Sequence, residues 1–140
     1  MMPVSSKLSL TVVGIAETPW KTLESCPKNG WLNKSLSTIK IFPEYRACLT
    51  GLKSDMHLFV IWWCSEATRD LQVGYPNDSK AAVGVFAMRS PFRINPLAIS
   101  RVVVEKADRN SIIVRGLEAL NGSPIIDIKK IVRGPRGIVL

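Results

Sequence analysis

The sequence predicts an all-β protein: a small β-barrel of about seven strands with one short helix and long loops. Short apolar segments rich in β-branched residues recur along the chain, and clusters of Gly, Pro, Asn and Asp separate them. Regular helices do not alternate with these segments, which argues against a doubly wound α/β fold. Because a small all-β protein must protect its sheet edges, we expect the strands to close, or nearly close, into a barrel.

The first part of the chain contains two predicted strands and the one predicted helix. Residues 8–16 alternate between apolar and polar and are rich in Val and Leu, which is typical of a strand. Residues 17–34 form a long, irregular loop, which in a compact domain is usually functional or disordered. Residues 37–42 predict a second strand. Pro43 then opens a short helix that ends near Gly51.

The rest of the chain alternates strands with turns. The run HLFVIWWC at residues 57–64 is apolar throughout and predicts a buried strand, and residues 65–79 form a polar surface loop. A further strand is predicted at residues 81–88, and a two-stranded hairpin at residues 98–106 and 111–115. Asn121-Gly122 predicts a turn, and residues 125–131 predict the final strand.

Length and composition fit a single domain at residues 1–140, with its core at about residues 8–132 and a basic tail at residues 133–140. The chain is 46% hydrophobic and 21% charged, which excludes wholesale disorder. Lys and Arg outnumber Asp and Glu by 19 to 11, so the net charge is +8. This balance favours a polyanionic partner such as RNA, but a generic basic surface explains it equally well, and both interpretations stay open.

The cysteines and the length of the apolar runs bear on metal binding, on the cellular compartment and on membrane association. The three cysteines, Cys26, Cys48 and Cys64, form no CxxC pair, and His57 is the one histidine. These spacings do not point to zinc, so we expect no metal. We expect reduced thiols in a cytoplasmic protein. No apolar run approaches the ~18 residues that span a bilayer, so we expect no membrane partner.

The segment GVFAMRSPFRINPLAIS, residues 84–100, is the most informative stretch of the chain. Pro91 and Pro96 fix backbone torsions and remove amide donors, which predicts a rigid, extended loop. Arg89 and Arg93 lie four residues apart, and in such a loop they could bind a carboxylate or a phosphate together. A pair of exposed arginines is the alternative.

Other candidate features lie on predicted strands and turns. Trp62 and Trp63 face opposite sides of a strand, so one packs in the core and the other could line a pocket that attracts a cation such as a sulfonium; core packing of both is the alternative. The glycine-containing loop at residues 115–124 offers backbone groups to a ligand. Asp127 and Lys129 share a strand face, where they could form a surface ion pair.

Two loop motifs carry a family resemblance. RSPFRINPLAIS followed by VRGLEALNGSPIIDIK resembles the pattern of the TrmO family of tRNA (adenine-N6)-methyltransferases, also called the TsaA-like, YaeB or VirR family. The runs MHLFVIWW and VVGIAETPWKTLESCPKNG are similar to the family's His-led strand and to its N-terminal strand and loop, and the resemblance covers most of residues 9–131. The chain departs from the family pattern at Ser65, Ile94, Ala98, Asn121 and Lys130.

The resemblance implies a small β-barrel methyltransferase that binds S-adenosyl-L-methionine, forms homodimers and uses tRNA as its substrate. The acceptor that it implies is N6 of the threonylcarbamoyl-modified adenosine next to the anticodon. Carried over by motif, the cofactor site comprises Lys28, Asn29, Gly30, Ser65, Glu66, Arg89, Ile99, Asn121, Gly122, Ser123, Pro124 and Ile125.

The chemistry of this reaction adds one candidate catalytic residue. Methyl transfer from a sulfonium needs in-line positioning and a dry pocket, and the adenine amine must lose a proton. We expect the carboxylate of Asp127 to accept that proton. Two alternatives stay open: a non-catalytic module that binds S-adenosyl-L-methionine or RNA, and a methyltransferase for a small molecule on the same barrel.

Overall fold

Six antiparallel strands close into a barrel in a computed structural model that describes residues 5–27, 34–137 and 139. In chain order the strands are β1 Gly14–Glu17, β2 Leu36–Ile41, β3 His57–Trp63, β4 Val73–Gly74, β5 Val83–Gly84, β6 Leu97–Ala107, β7 Ser111–Arg115 and β8 Pro124–Lys130. The barrel order is β1-β2-β7-β6-β3-β8, and β4 pairs with β5 outside it. The predicted all-β barrel is therefore confirmed, with six strands in its wall.

The last strand, β8, closes the barrel because it pairs with β3 on one side and β1 on the other. Val60 of β3 lies opposite Ile128, and Gly14 of β1 lies opposite Ile125. On its other edge, β3 pairs with β6 along its whole length. A register shift beside Ile61 interrupts the β3–β8 ladder, and such bulges add the local twist that a closed sheet requires.

Alternate residues of the barrel strands point into a single apolar core. In β3 the side chains of Leu58, Val60 and Trp62 are buried, while the intervening ones stay partly exposed. The predicted buried strand is confirmed, but only one of its faces is buried, because a barrel wall has one inner side. The inner faces of the other strands supply the remaining core residues with no measurable exposure, among them Ile39, Val102, Val104, Ile112, Val114 and Ile125.

A 3-10 helix over Pro43–Leu49 occupies the place of the predicted helix. Pro43 lies in its first turn, and the chain leaves it through Gly51, whose φ of 91° falls in the left-handed region that favours glycine. Leu49 is buried in the core, and the partly buried side chain of Tyr45 packs against the core. No helix in the part of the chain that the structure describes combines the length and the apolar character needed to cross a membrane.

Two predicted strands are shorter than the sequence pattern indicates. The prediction of a strand at residues 81–88 is wrong beyond Val83–Gly84, because a 3-10 helix follows at Val85–Ala87. The partner strand β4 is only two residues long, so the ladder does not extend further. Residues 8–13 precede β1, and the side chain of Leu8 is exposed.

The predicted hairpin of β6 and β7, the Asn121-Gly122 turn and the final strand are all confirmed. In the hairpin turn the carboxylate of Asp108 accepts hydrogen bonds from the backbone amides of Asn110 at 2.8 Å and Ser111 at 2.9 Å. These bonds stabilise the charged carboxylate and lower the pKa of Asp108.

Substitution of Gly14 tests the close approach of β1 and β2. A Cβ at this position would lie 2.2 Å from the backbone carbonyl oxygen of Lys40, which the β1–β2 ladder holds in place. We expect Gly14→Ala to lower the free energy of unfolding by about 3 kcal/mol in urea denaturation. Gly84→Ala is the matched control, since no atom lies within 4 Å of its Cβ position and its φ is −65°. Equal stability of the two variants would contradict this account.

Candidate functional site

A cavity of about 740 Å³ opens at one end of the barrel, where β3 ends and where β6 and β8 begin. We call it the mouth cavity. Its volume lies within the range of about 300–1,000 Å³ that is typical of small-molecule sites. Apolar side chains, including Leu23, Phe92 and Leu97, form part of its wall. Among the residues that the structure describes, the charged side chains on its lining are Glu66, Arg89, Arg93 and Glu118.

The mouth cavity brings together most of the predicted cofactor residues that the structure describes. They come from separate segments of the chain and are Ser65, Glu66, Arg89, Ile99, Asn121, Gly122 and Ser123. Pro124 and Ile125 are not among the lining residues, because they begin β8, where Ile125 is fully buried in the barrel core. Lys28, Asn29 and Gly30 lie outside the described residues.

The structure places Asp127 away from the mouth cavity. It lies on β8, opposite Ile61 of β3, and its Oδ2 pairs with Nζ of Lys129 at 3.4 Å. Asp127 also borders a separate cavity of about 120 Å³ beside the Pro43–Leu49 helix. The ion pair expected from the shared strand face is therefore present, but it is not beside the other predicted site residues.

The two arginines of the segment 84–100 have different structural roles. Arg93 donates hydrogen bonds to three carbonyl oxygens of its own loop, those of Val85, Met88 and Ser90. Arg89 donates from Nη2 to the carbonyl oxygen of Ile99 at 3.0 Å, which ties the loop to β6. A guanidinium carries five N–H donors, so this bond uses only one of those of Arg89. Arg93 therefore shapes the loop, and Arg89 is the better placed of the two to bind an anion.

The neighbouring tryptophans have different surroundings, as their opposite strand faces predict. Trp62 is 8% exposed and lies in the core, and it also lines the mouth cavity. Trp63 lies on the outer face, where the guanidinium of Arg69 sits 5.0 Å from the ring centre. Arg69 also donates to the carbonyl oxygen of Ile94 at 2.9 Å and to Oδ1 of Asn95 at 3.1 Å. Arg69 thus anchors the turn before β6, a role that the sequence does not reveal.

A hydrogen-bonded carboxylate lines the mouth cavity, and sequence reasoning missed it. Trp62 Nε1 donates to Ser100 Oγ at 3.0 Å, and Ser100 Oγ lies 3.2 Å from Glu118 Oε1. Ser100 is only 1% exposed and Trp62 is buried, whereas Glu118 is partly exposed at the cavity lining. Glu118 belongs to the loop at residues 115–124, which the sequence predicts to bind a ligand. That prediction is based on the glycines of the loop, and nothing in the sequence distinguishes the side chain of Glu118.

The Asn121-Gly122 turn uses its backbone donors within the protein. The amide of Asn121 donates to the carbonyl of Trp20 at 2.7 Å, and the amide of Gly122 donates to that of Ala16 at 2.8 Å. Asn121 Oδ1 accepts from the amide of Thr18 at 2.9 Å. These bonds lock the turn against the end of β1. The turn therefore forms a rigid wall of the cavity rather than a ring of open amide donors.

Two free thiols, Cys26 and Cys64, also line the mouth cavity. Burial raises the pKa of the Cys64 thiol to about 11, with smaller contributions from Cys26 and from the carboxylate of Glu118. Burial is also the main cause that raises the pKa of Cys26, and Glu118 adds to it. Both thiols are therefore protonated near neutral pH and are poor nucleophiles there.

Comparison with known proteins finds relatives along most of the chain. The model of the tRNA-methyltransferase O N-terminal domain family matches residues 15–134. A Rhizobium radiobacter protein named "Probable S-adenosyl-L-methionine-binding protein VirR" is 37% identical over 128 residues, which cover 91% of this chain and 73% of that protein. An S-adenosyl-L-methionine-binding protein of Archaeoglobus fulgidus is 39% identical over 122 residues, covering 86% of this chain and 87% of the relative.

A solved structure has the same fold. A crystal structure of TrmO matches with a TM-score of 0.79 at 23% identity, a likeness that concerns the fold alone. The match covers 94% of this chain and 61% of the TrmO chain, so the present chain spans about three fifths of that protein. The two loop motifs noted in the sequence lie inside the family match, and residues of both line the mouth cavity. The chain belongs to the TrmO family, whose N-terminal domain it contains.

Proposed function

We propose that this protein binds S-adenosyl-L-methionine in the mouth cavity and methylates N6 of the threonylcarbamoyl-modified adenosine next to the tRNA anticodon, in the cytoplasm. The observation that carries this proposal is the meeting of cationic, anionic and aromatic groups on one largely apolar cavity, through Arg89, Glu66, Glu118 and Trp62. Membership of the TrmO family and the names of the two S-adenosyl-L-methionine-binding relatives support this choice of cofactor.

The donor set of the mouth cavity matches the charges of the cofactor. S-adenosyl-L-methionine carries a carboxylate, an ammonium, a sulfonium and an adenosine. Arg89 suits the carboxylate, because a guanidinium forms bidentate bonds with such groups. Glu66 suits a cationic group of the cofactor, and the apolar wall suits the adenosine. When bound, the cofactor supplies a methyl carbon on a sulfonium leaving group, which departs as a neutral thioether.

The charge of the chain supports a polyanionic acceptor. Its net charge is +8, and an RNA backbone attracts such a protein independently of sequence. Two of the basic side chains, Arg69 and Arg93, donate hydrogen bonds to carbonyl oxygens of the loop beside the cavity. These hydrogen bonds do not remove the positive charge of either side chain, so both residues still contribute to a positive field around the cavity entrance.

The outer face of the barrel supports a homodimer as the working form. Side chains of β3 and β6 that point away from the core form an apolar strip made of Phe59, Ile61, Trp63, Leu97 and Ile99. Leu97 is 36% exposed and Ile99 is 39% exposed, and both also line the mouth cavity. A second copy of the chain seated on this strip would bury it and would complete the outer wall of the cavity.

Cofactor binding tests the role of Arg89. We expect Arg89→Ala to raise the Kd for S-adenosyl-L-methionine by about 10- to 100-fold in calorimetry, since it removes a charge-assisted hydrogen bond to the carboxylate. Arg109→Ala is the matched control, because Arg109 is exposed in the β6–β7 turn and does not line the mouth cavity. If the affinity of Arg89→Ala were unchanged, the role of this arginine would be limited to its bond with Ile99 of β6.

Methyl transfer tests the acceptor. Incubation with methyl-labelled cofactor and total tRNA should place the label on N6 of the threonylcarbamoyl-modified adenosine, as nucleoside mass spectrometry would show. tRNA that lacks the threonylcarbamoyl group is the matched control and should stay unlabelled. Label in a metabolite extract but not in tRNA would favour a small-molecule methyltransferase. Cofactor binding without transfer to either would favour a non-catalytic module.

Sedimentation velocity tests the homodimer. We expect the wild-type chain to sediment as a dimer and Ile61→Asp to shift it to the monomer, because an aspartate would place a charge in the apolar strip. Leu8→Asp is the matched control, since Leu8 is 82% exposed and precedes the barrel. A monomeric wild-type protein at micromolar concentration would rule out this interface.

A further inference from the structure

We propose that Glu118 is the proton acceptor of the methyl-transfer reaction and that Ser100 and Trp62 hold its carboxylate in position. This inference rests on the proposed function, since it assigns a role in the reaction for which the mouth cavity is proposed. It replaces Asp127, which lies outside that cavity, with a carboxylate on its lining.

The backbone around Glu118 is fixed on both sides. Its neighbours Leu117 and Ala119 are buried, at 2% and 0% exposure. The carbonyl oxygen of Leu117 accepts from Trp20 Nε1 at 3.3 Å, and the carbonyl oxygen of Ala119 accepts from Thr18 Oγ1 at 2.8 Å. A carboxylate carried on such a segment loses little further freedom when a substrate binds, which favours accurate placement of a catalytic group.

The direction of the hydrogen bonds makes Glu118 an acceptor from Ser100. An indole N–H can only donate, so Trp62 Nε1 fixes Ser100 Oγ as its acceptor. The single hydroxyl proton of Ser100 then points to Glu118 Oε1, 3.2 Å away. This bond fixes the orientation of the carboxylate at the cavity lining.

The reaction requires such an acceptor. The new bond between the acceptor nitrogen and the methyl carbon forms as the carbon–sulfur bond breaks, and the electron pair of that bond stays on sulfur. The nitrogen then carries one proton too many. Transfer of that proton to a carboxylate oxygen of Glu118 gives a neutral carboxylic acid, which later releases the proton to water, so that atoms and charge balance.

The other titratable groups that the structure describes on the cavity lining fit this task less well. Arg89 and Arg93 are cations and cannot accept a proton. Cys26 and Cys64 are protonated near neutral pH, because burial raises the pKa of both thiols. Glu66 lies on the exposed turn that follows β3, where the structure gives it no place in the buried network of Ser100 and Trp62.

The decisive variant is Glu118→Gln, which keeps the shape of the side chain and removes its basicity. We expect kcat on tRNA to fall by about 100-fold or more, while the Kd for S-adenosyl-L-methionine stays within about threefold. Glu105→Gln is the matched control and should keep full activity, since Glu105 pairs with Arg115 at 3.1 Å, away from the cavity lining.

A readout without cofactor checks that the Glu118 charge lies in the cavity. The negative charge of Glu118 helps to raise the pKa of Cys64, so Glu118→Gln should lower that pKa. A lower pKa means more thiolate at pH 8, and alkylation of Cys64 by iodoacetamide should therefore be faster than in the wild type or in Glu105→Gln. Peptide mapping assigns the modified cysteine.

Variants of Ser100 and Trp62 test whether these two residues position the carboxylate of Glu118. Ser100→Ala and Trp62→Phe should each lower kcat by about tenfold with little change in KM.

Three outcomes would contradict these assignments. If the wild-type protein methylates tRNA and Glu118→Gln keeps a kcat near that of the wild type, this inference is overturned and the proposed function stands. Loss of cofactor binding in Glu118→Gln would also overturn it and make Glu118 a cofactor ligand. A wild-type protein that methylates no tRNA would overturn both.

Discussion

Closure of the sheet by β8 is the constraint on which the rest of the molecule depends. Because β8 pairs with both β3 and β1, every barrel strand has two neighbours and the wall has one inner and one outer side. The same closure gathers the ends of β1, β3 and β7 and the beginnings of β2, β6 and β8 at one end of the barrel. Segments far apart in the sequence therefore meet there, and the end of β3, the beginning of β6 and the loops beside them enclose the mouth cavity.

The walls of the cavity owe their rigidity to hydrogen bonds between side chains and backbone. Arg93 and Arg69 bind carbonyl oxygens of the proline-containing loop, and Arg89 joins that loop to β6. Thr18 and Asn121 fasten the second loop to the end of β1. Loops ordered in this way lose little conformational entropy when a ligand binds, so more of the interaction energy remains as affinity.

The same network separates the roles of the ionisable groups. Burial keeps the thiols of Cys26 and Cys64 protonated, while the hydroxyl of Ser100 donates a hydrogen bond to the carboxylate of Glu118. The cavity thus combines inert thiols, a supported carboxylate and an arginine on one apolar lining. Such a combination is suited to holding a zwitterionic ligand and to moving a proton, and it needs no activated cysteine.

The sequence by itself determined the all-β class, the position of most strands and turns, and the family, because alternation, turn residues and loop motifs are local patterns. It also indicated the two loops that line the cavity. Only the tertiary structure decided that Arg93 serves its own loop, that Asp127 lies apart from the cavity, and that Glu118 meets Ser100. These outcomes depend on which strands become neighbours when the barrel closes, and the pattern within one strand does not contain that information.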